Sequence, residues 1–382
     1  MPVQSAADPR LSRNQLPNDA TADPLKRPTT PLHFFSSLPF MQQHTRPSMK
    51  VMSGRNAPRS RTGKNYDLNR LILSNSQGSL SPHEVDEIST AFFLMVTYEY
   101  LFGQDSAAVE VHIQGIYTFL KAHDLVPRLG ETGQCVKLPV LTQQLLLFVM
   151  YANLTICKYG RLRQLWEEAG HESSFISTMD ELFYNSRTSQ HAIWPFEYPS
   201  EAALDDISVF RPLELTNECK KLKYRLLLIP ETTRGKSEWY LMDCLEQDLC
   251  GIGKRYQDLI IMSQQPHSDL RNRQLQTIYF AVAEYHATTV FFCYRRSFLS
   301  CMSSPLVSSR DAVNGALAII KELSTVSPSC LGRVHWPMIV LARCMEDSQD
   351  RQWIRKTLIE SQHTIVFPSM RGWLDEMSGL DL

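Results

Sequence analysis

At 382 residues, with 43% hydrophobic side chains and a formal net charge of −1, the chain is long enough for one large core or two ordinary ones. The charge is uneven: residues 1–70 hold eleven Lys/Arg against four Asp/Glu, a net +7, and the rest, with 28 basic and 36 acidic residues, carries −8. That balance excludes a uniformly basic nucleic-acid binder and leaves phosphate attraction or nuclear import to the N-terminal arm alone.

Residues 1–75 contain nine of the 21 prolines, many Ser and Arg, and no sustained periodicity. The first residues lack an apolar signal core. Such a segment buries too little surface to offset its ordering entropy, so a disordered basic Pro/Ser-rich arm is expected over 1–75 and a folded body over 76–382. Within the arm, Arg46, Lys50, Arg55, Arg59, Arg61 and Lys64 are candidate import or phosphate contacts. The competing reading is a solvated basic linker.

The body opens at Ser81-Pro82-His83-Glu84, which has the form of a capped helix start. The run AFFLMVTYEYLF from Ala91 is apolar nearly all round and predicts a helix buried on most sides, ended by Gly103. A second helix, Ser106 to His123, sets Ile113, Ile116, Tyr117 and Leu120 on one face, with His112 and Gly115 on its other side. The stretch from Leu138 to Cys157 approaches membrane-spanning length, but Pro139, Gln143, Gln144 and Asn153 interrupt it, and a buried helix from Thr142 to about Gly160 is expected. Residues 161–235 read as irregular up to a helix at Leu213–Leu228, with a Pro-containing loop over 188–201. Further helices are expected over 239–262, 270–298 and from Ser308.

Two linked helices close the body. Trp336 and Pro337 lead an apolar run, Met338 to Ala342. Asp347 or Ser348 caps a second helix carrying Trp353, Ile354 and Leu358 inward, with Arg351, Arg355 and Lys356 turned outward. No alternating strand run or internal repeat is present, so the fold class is all-α, a multi-helix, bundle-like body behind a disordered arm.

Candidate chemistry is sparse. The nine cysteines, starting at Cys135, are odd in number and irregularly spaced, as for reduced, mostly buried thiols rather than a disulfide framework. His83-Glu84 and His171-Glu172 lack the second histidine of a helical zinc protease. Leu249 to Arg255 resembles a phosphate loop only superficially: the glycines are too close and no Ser/Thr follows Lys254. Cys244 and Cys250 lack close ligand partners for zinc. His112 reads better as a helix-interface histidine, with Gly115 letting a neighbouring helix approach, than as an acid–base group. Neither a catalytic residue, a metal ligand nor a cofactor is assigned.

Two blocks nevertheless carry a resemblance. Ser89 to His123, a buried helix, a short polar loop and then His112-x-x-Gly115, resembles the helix-pair signature of the fungal-specific transcription factor domain. So does the C-terminal block, a Trp336-Pro337 helix, an acidic loop and Arg351-Gln352-Trp353-Ile354. Pro212 to Ile229 is similar in character. The resemblance covers 80 to about 365 and implies an all-helical regulatory domain of a nuclear transcription regulator, not an enzyme. It implies contacts with other regulators or the transcription machinery, with room for a small-molecule effector and a homo-oligomer, and no membrane. The family's DNA reader is a six-cysteine binuclear zinc cluster. Here the first cysteine is Cys135, so zinc-dependent DNA binding is not carried over and DNA contact is expected to be weak or indirect. The alternatives are a truncated gene of a zinc-cluster factor, an effector-binding protein and an all-α enzyme.

Overall fold

The computed structural model describes residues 80–102, 112, 115–116, 118–119, 122–123, 138–156, 172–188, 200–229, 236–265, 272–297, 307–326, 328–345 and 347–364. The arm over 1–75 with its six candidate contacts, Cys135 and the 189–199 part of the expected loop lie outside them. All regular structure among the described residues is helical, in agreement with the all-α expectation.

Helix α1 spans Pro82–Phe102. Its start is a reciprocal capping box: the Ser81 N–H donates to Glu84 Oε2 at 2.8 Å, and the Glu84 N–H donates to Ser81 Oγ at 3.3 Å. These hydrogen bonds hold the Glu84 carboxyl below its ordinary pKa. Phe92 and Phe93 are buried but Leu94 is 40% exposed. The described part of α1 therefore has an open side, contrary to the expectation of burial on most sides. Of the second predicted helix, His112, Gly115, Ile116, Thr118, Phe119 and Ala122 are described as helical, and Ile116 and Phe119 are buried. Ile113, Tyr117 and Leu120 lie outside the described residues.

Helix α2, Val140–Ile156, is fastened to α1 by Asp86, whose Oδ1 accepts from the Thr142 N–H at 3.0 Å and the Thr142 hydroxyl at 2.9 Å. A carboxylate borrowed from another helix thus satisfies a first-turn donor of α2. No described helix is long and apolar enough to cross a membrane.

Two corrections fall in the region read as irregular. Helix α3 occupies Glu172–Thr188, and α4 runs from Ser200 to Leu228 rather than starting near Leu213. Pro212 sits inside α4 and is buried. Proline costs an interior helix one hydrogen bond, and tertiary packing overrides that penalty here because α4 is held on both sides.

Helix α4 divides the body. Phe210, Leu213, Tyr224, Leu227 and Leu228 join a first core built on α1, Ile116, Phe119, α2 and α3, where Phe175 stacks on Tyr224 at 4.0 Å. Leu215, Cys219, Leu222 and Leu226 join a second core. That core adds α5 (Lys236–Arg255), α6 (Gln257–Ser263), α7 (Arg273–Ser297), α8 (Ser309–Val326), the short α9 (Pro328–Leu331) with a 3-10 turn, α10 (His335–Cys344) and α11 (Ser348–Thr364). The single helix expected over 239–262 is two, separated by a turn at buried Tyr256. Helix α7 is central, packing most extensively on α4, then α8, then α10.

The terminal helices follow the sequence reading in their caps. Ser308 Oγ accepts from the Asp311 N–H at 3.1 Å, and Asp347 Oδ1 accepts from the N–H groups of Gln349 and Asp350 at 2.8 and 2.9 Å. Asp347, not Ser348, is the cap of α11. Ile354 and Leu358 are fully buried. Arg351 is a correction: it does not turn outward but folds back, half-buried, to donate to the Met345 carbonyl left open at the end of α10. Arg355 is half-buried as well, and Lys356 is exposed.

Candidate functional site: a buried charge seam

Charged side chains are rarely buried without a partner. Helix α4 buries two on one face, Lys220 and Lys223, where it packs on α7 and the two side chains reach Trp336 of α10. Lys220 Nζ is paired with Glu284 Oε1 of α7 at 2.5 Å, both side chains about nine-tenths or more buried. Lys223 is 2% exposed; its Nζ has no hydrogen-bond partner among the described residues and lies 3.7 Å from the ring centroid of Trp336 in α10. Lys220 Nζ is 5.7 Å from the same ring, which Phe291 of α7 meets edge-on at 6.2 Å. Burial, and then the positive charge of Lys220, push the Lys223 amine well below the ordinary lysine pKa, and Glu284 opposes the shift. Beside them, burial and the Glu284 carboxylate push the Cys219 thiol well up.

A second polar cluster ties α4 to α2 and α3. The Tyr151 hydroxyl donates to Asn217 Oδ1 at 2.6 Å, Asn217 Nδ2 donates to Asp180 Oδ1 at 2.8 Å, and Lys221 Nζ donates to both Asp180 and Glu218. Here every named group has a partner, as a structural network requires. The Lys220–Lys223 seam does not close in that way.

The residues singled out in the sequence are not gathered at one place. His112 is half-buried on the helix that meets α1, where a Cβ on Gly115 would come within 3.1 Å of Phe92 Cε1. Trp336 and Pro337 are buried in the second core. Trp353 is half-buried in α11, with Lys321 Nζ 5.6 Å from its ring centroid. Of these, Trp336 alone belongs to the seam. Lys220, Lys223 and Glu284 carried no sequence signal beyond the Lys-Lys-x-Lys spelling of α4, which ordinarily marks a solvated face.

Burial also governs the other thiols and imidazoles of the second core. Burial pushes the thiol pKa up to about 11 at Cys293 and about 12 at Cys344, and pulls the imidazoles of His286 and His335 down to about 4. These thiols stay protonated and these histidines neutral at physiological pH. Among the described residues no group of three or more His, Cys, Asp or Glu is placed to hold a metal ion. Gly251 and Gly253, the would-be phosphate loop, lie inside α5.

The described residues form an all-helical body. The fungal specific transcription factor domain, as a sequence family, matches residues 65–377, and the chain belongs to that family. The match begins within the segment read as the arm and includes both blocks that carry the resemblance. The protein is thereby a transcription regulator of the fungal type, a family of regulators rather than enzymes. No curated protein and no solved structure matches it.

Proposed function

We propose that the chain controls transcription in the nucleus through its helical body, which contacts other regulators or the transcription machinery and takes up a small effector. Residues 1–75 act as a basic arm and 76–382 as the regulatory domain. Arg46, Lys50, Arg55, Arg59, Arg61 and Lys64 serve import or add nonspecific phosphate attraction, so that DNA contact is weak or indirect. His112, Gly115, Trp336, Pro337, Arg351 and Trp353 keep structural roles. The observation that carries this reading is the family match over 65–377, the greater part of the chain. The protonated thiols and neutral histidines support a non-catalytic role.

Chromatin association of the tagged full chain, compared with a form lacking residues 46–70, tests it. The full chain is expected in the nucleus and on chromatin, with association reduced by the deletion. A full chain that stays in the cytosol and whose removal leaves all transcripts unchanged refutes the proposal.

A further inference from the structure

Lys220 and Lys223 bring two amines to one carboxylate, Glu284, at the junction of α4, α7 and α10. The second amine has no acceptor among the described residues. A buried donor left unmade costs its full desolvation, and an apolar side chain of similar length would serve packing alone better. The unmet amine lies against the face of Trp336, a ring that Phe291 meets in a T-shaped contact.

We propose that this seam is a binding site for a small monocarboxylate bearing an apolar ring or tail. The ligand carboxylate accepts from Lys223 Nζ, with Lys220 Nζ on its other side, and the apolar portion lies along Trp336, parting the ring from the amine that now rests on it. Charge selects the monoanion. Lys220 and Glu284 already balance, so one further protonated amine matches one negative charge, and a dianion leaves a buried excess.

Three titratable groups act on one another beside Lys223: Lys220 and Cys219 from α4 and Glu284 from α7. Burial and Lys220 disfavour the Lys223 ammonium in the free protein. An arriving carboxylate favours the ammonium and so raises the amine's pKa again. The assignment deepens the effector reading and rests on it for the ligand's cellular role; binding to the purified chain is decided separately from chromatin association.

The test is calorimetry on the full chain near neutral pH in two buffers of different ionisation enthalpy, titrating sodium benzoate and sodium octanoate. Benzyl alcohol, the uncharged counterpart, and inorganic phosphate are run beside them. At least one of the two carboxylates is expected to bind with net proton uptake, at least roughly ten-fold tighter than the alcohol or phosphate. Lys223→Met is expected to fold, melt higher than the parent, and lose both the proton uptake and at least roughly ten-fold in affinity. Glu284→Gln removes the resident carboxylate and is expected to bind the same ligand more tightly. Failure of both carboxylates to bind the parent overturns the assignment, as does unchanged affinity in Lys223→Met. Should Lys223→Met not fold, unchanged or weaker binding by Glu284→Gln overturns it.

Discussion

His286 of α7 and Gly315 of α8 meet so closely that a Cβ on residue 315 would lie 2.6 Å from His286 Nε2 and 3.0 Å from its Cδ2. The preceding residue repeats the relationship on another helix: a Cβ on Gly253 of α5 would lie 2.3 Å from the Tyr285 hydroxyl oxygen. Consecutive ring side chains of the central helix are thus each seated against a glycine, where any Cβ would force the ring to shift.

Three glycine-to-alanine changes separate this packing role from helix propensity. Alanine in place of an exposed helical glycine stabilises by up to about 1 kcal/mol. Gly251 in α5 has open space where a Cβ would go, so Gly251→Ala is expected to raise the melting temperature. Gly253→Ala and Gly315→Ala force ring side chains to move, and overpacking of about 1–3 kcal/mol exceeds the propensity gain. Both should melt lower than the parent. Denaturant unfolding of the three variants side by side checks the ordering, and a stabilised Gly315→Ala would show that the α7–α8 seam yields.

The buried histidines set an acid limit on stability. Burial lowers His286 to about 4 in the folded chain, against about 6.5 when unfolded. Between those values the unfolded chain binds more protons, so stability falls as pH falls. The contribution is fully present above the unfolded value and is lost down to the folded one. His335 behaves alike in direction and window. Replacing His286 by Gln should cut the loss of unfolding free energy between pH 7 and pH 5 by about 1–2 kcal/mol. Equal pH slopes for the two proteins would remove His286 from the account.

Much of the fold was legible because its signals are local. Ser81 and Glu84 spell a capping box and Asp347 a cap, and each is found as read. Helix α3 carried the same kind of signal, Phe175, Met179, Leu182 and Phe183, diluted by the Ser and Thr between them. Pro212 hid the first half of α4, since proline ordinarily ends a helix and only packing from two cores explains its burial within one. The seam was not legible. Lys220 and Lys223 look like solvated charges until Glu284 and Trp336, far away in the chain, are placed beside them. Arg351 was misread for a similar reason: its partner is a backbone carbonyl, which has no sequence signature.

A buried ion pair elsewhere in the second core offers a double-mutant cycle. Arg296 of α7 hydrogen-bonds Glu246 of α5, both side chains 5% exposed, with Asp243 farther out at 3.8 Å. Removing one member strands the other, at a cost of about 3–5 kcal/mol in sites of this kind. Glu246→Leu should destabilise strongly, tempered by Asp243. Arg296→Met should also destabilise, and the double variant should lose less than the two singles added. Additive losses in chemical denaturation would mean that the pair is not coupled.

Trp336 joins the family's C-terminal block to the seam, and its replacement separates those roles. The side chain is 7% exposed, flanked by Lys223 on its face and Phe291 at its edge. Truncating a buried Trp to Ala costs about 3–5 kcal/mol through lost transfer energy and the cavity left behind. The loss here belongs in the upper part of that range, because the Lys223 amine loses the ring it rests on and gains no acceptor. Trp336→Phe retains an aromatic face and should lose less than Trp336→Ala. Trp353 is half-buried in α11, so Trp353→Ala should cost clearly less than Trp336→Ala. Equilibrium unfolding of the three variants gives the order Trp336→Ala, then the two milder changes. Adding Lys223→Met to Trp336→Ala should restore part of the stability, since it removes the stranded amine. No recovery in that double variant would mean that the amine is not what the missing ring leaves exposed, and that Trp336 acts on the fold through α10 alone.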